Sequence, residues 1–184
     1  MPTKTGQILE HPITGEKIVV RQSTADSRGA VFEFDMFMKP HGFVAAEHIH
    51  PLQEERFEVV EGSVVFSING VRREAHAGEN VIVSAGTPHV WWNESEQEAQ
   101  VKVEFEPALS IEAFFETFFG LAQDGKVNKK SGLPNVLRLA LISREFRSEV
   151  RLAKPPVVVQ NILFMLLGFV GRVLGYRGRY PYPR

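Results

Sequence analysis

Up to Glu106 the chain is a succession of short β-branched or aromatic runs, each stopped by turn residues. The runs are Lys17 to Val20, Ala30 to Met38, Phe57 to Val60, Val64 to Ile68, Val81 to Val83, Val90 to Trp92 and Val101 to Phe105. Punctuation such as Asn69-Gly70 suits tight hairpins, and many short strands between turns predict a β-sandwich or barrel. With 184 residues, 43% hydrophobic and a net charge of −1, the chain can bury one good core and carry additions at its ends.

Two segments of this region concentrate metal-ligating side chains. In the first, His48 and His50 are one residue apart, and on a strand positions i and i+2 project to one face. Pro51, Gln53 and Glu54-Glu55 read as a turn into a strand from Arg56 to Glu61, whose first residues are expected beside the His-x-His strand. Glu55 enters the same interior from there, and Gln53 is expected to face solvent in the turn. In the second segment the run Asn80 to Ser84 stops at Ala85-Gly86-Thr87-Pro88, and a new strand opens with His89. Three imidazoles and a carboxylate are the side-chain types that hold a divalent metal ion and leave positions open for chemistry. His11, His41 and His76 sit beside Pro12, Pro40 and the Ala77-Gly78 turn, and are read as ordinary surface or core histidines.

These residues resemble the cupin superfamily in its bacterial single-domain form. Gly42, His48, His50, Glu55 and Gly62 meet the spacing of its first motif, which Glu54 meets less well. Gly78, Gly86, His89 and Asn93 meet that of the second, with Ser84 standing in place of the usual proline. The resemblance spans roughly Gly29 to Pro107. It implies a double-stranded β-helix, the jelly-roll or cupin barrel, with His48, His50, Glu55 and His89 as ligands of one divalent transition metal. Iron, manganese or nickel is expected ahead of zinc or copper. Similar cupins include quercetinase-like and acireductone dioxygenases, oxalate-degrading enzymes and sugar isomerases, so the fold selects no single reaction.

Alternation from Glu55 puts Phe57 and Val59 on the ligand face, and from His89 it puts Trp91 there. These three are the candidate substrate contacts, whereas Phe32, Phe34, Met36 and Met38 are read as barrel core. No cationic anchor for oxalate stands out. The expectation is a quercetinase-like dioxygenase acting on a small apolar or aromatic substrate, with Glu55 as catalytic proton acceptor. A non-catalytic metal- and small-molecule-binding module and a dioxygen-independent isomerase are the alternatives.

The chain changes character near Pro107, which divides a barrel at 1–107 from a helical C-terminal extension at 108–184. Ser110 is placed to cap a helix bearing Phe114, Phe115, Phe118 and Phe119 on one side. Leu139, Ile142, Phe146 and Val150 form a second helical stripe, and Pro155-Pro156 open a third, apolar helix reaching Leu174 before Gly175. Charge divides nearby. Residues 1–120 hold 9 of the 21 bases and 19 of the 22 acids, whereas the remainder holds 12 bases and 3 acids. The basic helices are therefore expected to pack on the acidic barrel of the same or a partner subunit, and the resemblance, with the unpaired sheet edges that an open barrel leaves, implies a homodimer. Peripheral membrane contact through the basic tail is the less favoured reading, and no nucleic-acid motif is present. The absence of cysteine excludes disulfide scaffolds and thiolate zinc sites. The N-terminal residues lack the apolar stretch of a secretory signal, so cytoplasmic residence is expected.

Overall fold

The computed structural model describes residues 4–182; residues 1–3 and Arg184, which enter the readings above, lie outside them. The strands are β1 Ile8–His11, β2 Glu16–Gln22, β3 Phe32–Met38, β4 His48–Ile49, β5 Glu54–Glu61, β6 Ser63–Ile68, β7 Val71–His76, β8 Asn80–Val83, β9 His89–Trp92, β10 Ala99–Glu106 and β11 Arg151–Leu152. The helices are α1 Ile111–Gln123, α2 Val136–Glu145 and α3 Val157–Val173. Among the described residues the strands form two antiparallel sheets, ordered β1-β2-β3-β10-β5-β8 and β11-β4-β9-β6-β7. This is the jelly-roll architecture, mainly β, with the helices after it.

Inward positions of both sheets build the core. Phe32, Phe34, Met36 and Met38 from β3 meet Phe57 and Val59 from β5, and Val101, Val103 and Phe105 from β10. Every second residue of β10 is buried, the period expected of a sheet with one dry face. The turn from β5 to β6 needs Gly62, whose φ is +77°, and an added Cβ there would press on Ala99. Phe66 stacks on Trp91 and meets Phe57 edge-on, tying the sheets together.

The helical region is not an appendage. β11 pairs with β4 inside the five-stranded sheet, with Leu152 opposite His48. Phe118, Phe119 and Ile111 of α1 join the barrel core, while Phe114 meets Phe146 edge-on at 5.7 Å. Ser110 stands at the start of α1 without forming a side-chain cap; its backbone N–H instead donates to the Glu149 carboxylate at 3.2 Å. Asn135 caps α2 by accepting from the Arg138 N–H.

β1 and β2 close their hairpin around two buried ionisable groups in register, His11 and Glu16. The Thr14 N–H donates to His11 Nδ1 at 3.2 Å, and the Thr14 hydroxyl donates to Glu16 at 2.5 Å. Burial pulls the His11 imidazole down to about 4 and pushes the Glu16 carboxyl up to about 7. Folding therefore favours neutral His11 and protonated Glu16. Glu16 contributes stability that is full below its unfolded value of 4.5 and is lost as pH rises through about 7. Urea unfolding of Glu16→Gln across pH is expected to lack this decline, which amounts to about 3 kcal/mol at most in the parent chain. A decline of the same size in the variant would show that Glu16 is not its source.

Candidate metal centre

The pleat and one cross-strand pair assemble the imidazoles. His48 and His50 project to the same side, with ring centroids 4.8 Å apart, and His48 lies opposite His89 in the β4–β9 register, with centroids at 4.4 Å. Glu55 arrives from the other sheet. The expectation that the β5 strand begins beside the His-x-His strand is corrected: β5 pairs with β10 and β8, and Glu55 meets the imidazoles across the sandwich. Glu54 alternates outward and pairs with Arg56 at 2.7 Å.

Each histidine is oriented by its other nitrogen. His48 Nδ1 bonds the Ala46 carbonyl at 2.9 Å, His50 Nδ1 the Glu149 carbonyl at 2.7 Å, and His89 Nδ1 the Thr87 carbonyl at 3.0 Å. A carbonyl only accepts, so every Nδ1 carries its hydrogen and every Nε2 is turned inward. His48 Nε2 and His50 Nε2 face each other at 3.1 Å, while Glu55 Oε2 lies 3.3 Å from His50 Nε2 and 2.8 Å from His89 Nε2. The four donor atoms all lie within 4.8 Å of one another.

Charge in this cluster is strongly coupled. Burial alone would push the Glu55 carboxyl up, but the adjacent imidazoles, first by the charge of His50 and then by their hydrogen bonds, hold it well below the carboxylate range. Burial works to lower His89, and the Glu55 hydrogen bond and charge outweigh it and raise the imidazole. His48 is driven far down by burial and by the neighbouring imidazoles. Two inward Nε2 lone pairs at 3.1 Å repel unless a proton or a metal cation lies between them. The spacing is close to the roughly 3 Å between adjacent donors around an ion with bonds of about 2.1 Å. The donor set and its orientation therefore fit a divalent metal ion.

The motif positions that are not ligands hold the loops around the cluster. Asn93 Nδ2 donates to the carbonyls of Met38, Lys39 and Gln97. A Cβ on Gly42 would lie 2.7 Å from the Met38 side chain. With serine in place of proline at 84, the turn is closed by the Thr87 N–H donating to the Ser84 carbonyl. It is tied to the ligand strand by the Gly86 N–H donating to the His50 carbonyl at 2.8 Å. Gln53, expected in solvent, is fully buried, because its amide donates to the Pro107 and Ala108 carbonyls where the barrel gives way to the helices.

His48, His50 and Glu55 open onto a cavity of about 100 Å³. Trp91 lines it. Phe57 and Val59 are buried but are not among its lining residues. Its walls are instead Phe34, Met36 and Phe105 of the barrel and Phe114, Phe115 and Phe146 of the extension. Phe34 and Met36, read from sequence as core, thus also face the cavity. Glu16 supplies a buried carboxyl to the same lining. The helical phenylalanine stripe was the available sign that the extension shapes the site, whereas nothing in the sequence marks the Glu149 carbonyl. His41 and His76 are exposed, and His11 is buried near Phe118 and Phe119 rather than in the cluster.

Residues 34–106 match the family described as Cupin domain. Probable oxidoreductase virH of Hypocrea virens is 34% identical over 146 residues, covering 72% of this chain and 64% of that protein. Probable oxidoreductase yanE of Aspergillus niger is 31% identical over 145 residues, covering 73% of this chain and 56% of that protein. The chain thus spans less than two thirds of the length of these curated relatives. Among solved structures, KdgF from Halomonas sp. aligns at a TM-score of 0.48 with 15% identity, over 58% of this chain and 92% of that one. The matched stretch contains His48, His50, Glu55 and His89 and most of both sheets, and this part of the chain is a cupin domain.

Proposed function

We propose that this cupin is a metal-dependent oxidoreductase, dioxygenase-like, acting on a small apolar or aromatic substrate, with His48, His50, Glu55 and His89 holding one divalent ion. The observation that carries the reading is the position of the inward donor atoms at the wall of a phenylalanine-lined cavity. The oxidoreductase names of the two curated relatives support the same class. Iron, manganese or nickel suits the reading better than redox-silent zinc.

The chain's own residues supply three things. Nδ1 bonds to Ala46, Glu149 and Thr87 fix the imidazoles so that no rotation is needed to present Nε2. Phe105, edge-on to the His50 ring at 4.9 Å, and the facing phenylalanines of α1 exclude water and hold a flat apolar body against the donor atoms. The Glu55 carboxylate, whose Oε2 lies 2.8 Å from His89 Nε2, is the group that takes a proton from an enol or phenol of the substrate. When bound, a redox-active ion supplies Lewis acidity toward a substrate oxygen and a route for electrons to dioxygen.

Metal analysis of protein purified without added metal is expected to find a redox-active ion. His48→Ala and Glu55→Gln are each expected to weaken its binding by about tenfold or more; full occupancy in both variants would show that the ligands are misassigned. Loaded with iron, manganese or nickel, the protein is expected to consume oxygen with at least one compound from a panel of flavonols, enediols, diketones and phenols. Silence throughout, with metal confirmed bound, would instead favour a binding module. Turnover that continues without oxygen would make it an isomerase.

A further inference from the structure

Helix α3 is built the wrong way round for a helix facing water. The side it turns to α2 carries Gln160, Phe164, Gly168 and Gly171. Gln160 donates to the carbonyls of Leu152 and Pro155, which fixes the helix's rotation at its start. A Cβ on Gly171 would lie 3.1 Å from the Leu137 carbonyl oxygen, so the glycines let the two helices approach closely. At about 100° per residue, the opposite side is an unbroken apolar arc about 180° wide, from Met165 round to Leu174. Ile162 in that arc is 56% exposed, Phe169 71% and Val173 72%. Asn161 and Arg172, both exposed, lie at its edge.

We propose that this face of α3 docks the protein on an anionic lipid bilayer, with the helix lying in the plane of the headgroups. The arc is wider than the single stripe that a second helix covers, whereas lipid surrounds it on all outward sides. Charge decides against a second copy of the chain. Residues 150–184 contain no acid. Lys154 lies before α3, Arg172 is in its last turn and Arg177 follows it, and all three are exposed without an ion pair among the described residues. Face-to-face pairing of two such helices would set these like charges against each other, whereas phosphate headgroups neutralise them. Among the described residues no helix is long and apolar enough to cross a membrane, which agrees with a helix lying on the surface. The helix beneath, α2, lines the cavity with Leu139 and Ile142, so docking sets an apolar cavity wall about one helix diameter from lipid. The inference rests on α3 alone and does not depend on the metal.

Flotation of the full chain with vesicles tests it. At low salt the protein is expected to float with phosphatidylcholine–phosphatidylglycerol vesicles and to bind pure phosphatidylcholine more weakly. The paired substitution Ile162→Asp and Phe169→Asp is expected to cut binding by about tenfold or more, and Lys154→Glu with Arg172→Glu to abolish the preference for the anionic lipid. All four residues are exposed, and an unchanged thermal melt confirms that the variants fold. No flotation of the parent chain, or equal flotation of the aspartate variant, overturns the proposal. So does light scattering that finds a dimer which the aspartate variant splits into monomers, because a second copy then covers the face.

Discussion

The site depends on holding two imidazole nitrogens 3.1 Å apart with their lone pairs facing. Nothing in that contact is favourable by itself. It is maintained because each ring has given its Nδ1 hydrogen to a backbone carbonyl, those of Ala46 and Thr87 in barrel loops and that of Glu149 in the extension. The Glu55 carboxylate, arriving from the opposite sheet, stabilises the proton or cation that has to lie among these nitrogens. The closing of the two sheets and the chemistry of the cluster are therefore one constraint: if the sandwich splays, the carboxylate leaves and the imidazoles repel.

The same constraint explains why the helical extension belongs to the site. Glu149 accepts from His50 through its carbonyl and from the Ser110 N–H through its carboxylate. Three residues later Leu152 pairs with His48. One short stretch of the extension thus positions two of the three imidazoles and the start of α1. Phe114, Phe115 and Phe146 then make the cavity apolar on the side that the barrel alone would leave open. A barrel ending at Glu106 would keep the ligand spacing and lose the orientation of His50.

Much of this was legible in the sequence, for reasons that can be named. His48 and His50 are two residues apart, and the pleat turns that spacing directly into geometry. Gly62 and Gly86 mark turns because their backbone has positive φ. The strand run from Ala30 to Met38 is visible because it is apolar throughout its inward face. β7 was not visible, since in Val71–His76 only Ala75 is buried and no alternation is left to detect. The partner of the His-x-His strand was not legible because sequence neighbours are not sheet neighbours there: the chain crosses from one sheet to the other between β4 and β5. Gln53 and Ser110 failed for a related reason. Both were assigned local roles, in a turn and in a cap, and both are claimed by partners more than 35 residues away.

The third helix shows the limit of reading hydrophobicity alone. Its composition announces burial, and its pattern of Gln160, Gly168 and Gly171 announces a polar, narrow stripe, but composition does not say which of the two faces the protein. Hydrogen bonding decides. The Gln160 amide donates to the carbonyls of Leu152 and Pro155, in the segment leading into the helix. Once that amide is satisfied the glycines fall against α2 and the apolar arc is turned outward. Burying the arc against α2 would require Gln160 to abandon both bonds and would put bulky side chains where the close approach at Gly171 leaves little room even for a Cβ. The outward apolar face is thus enforced from inside.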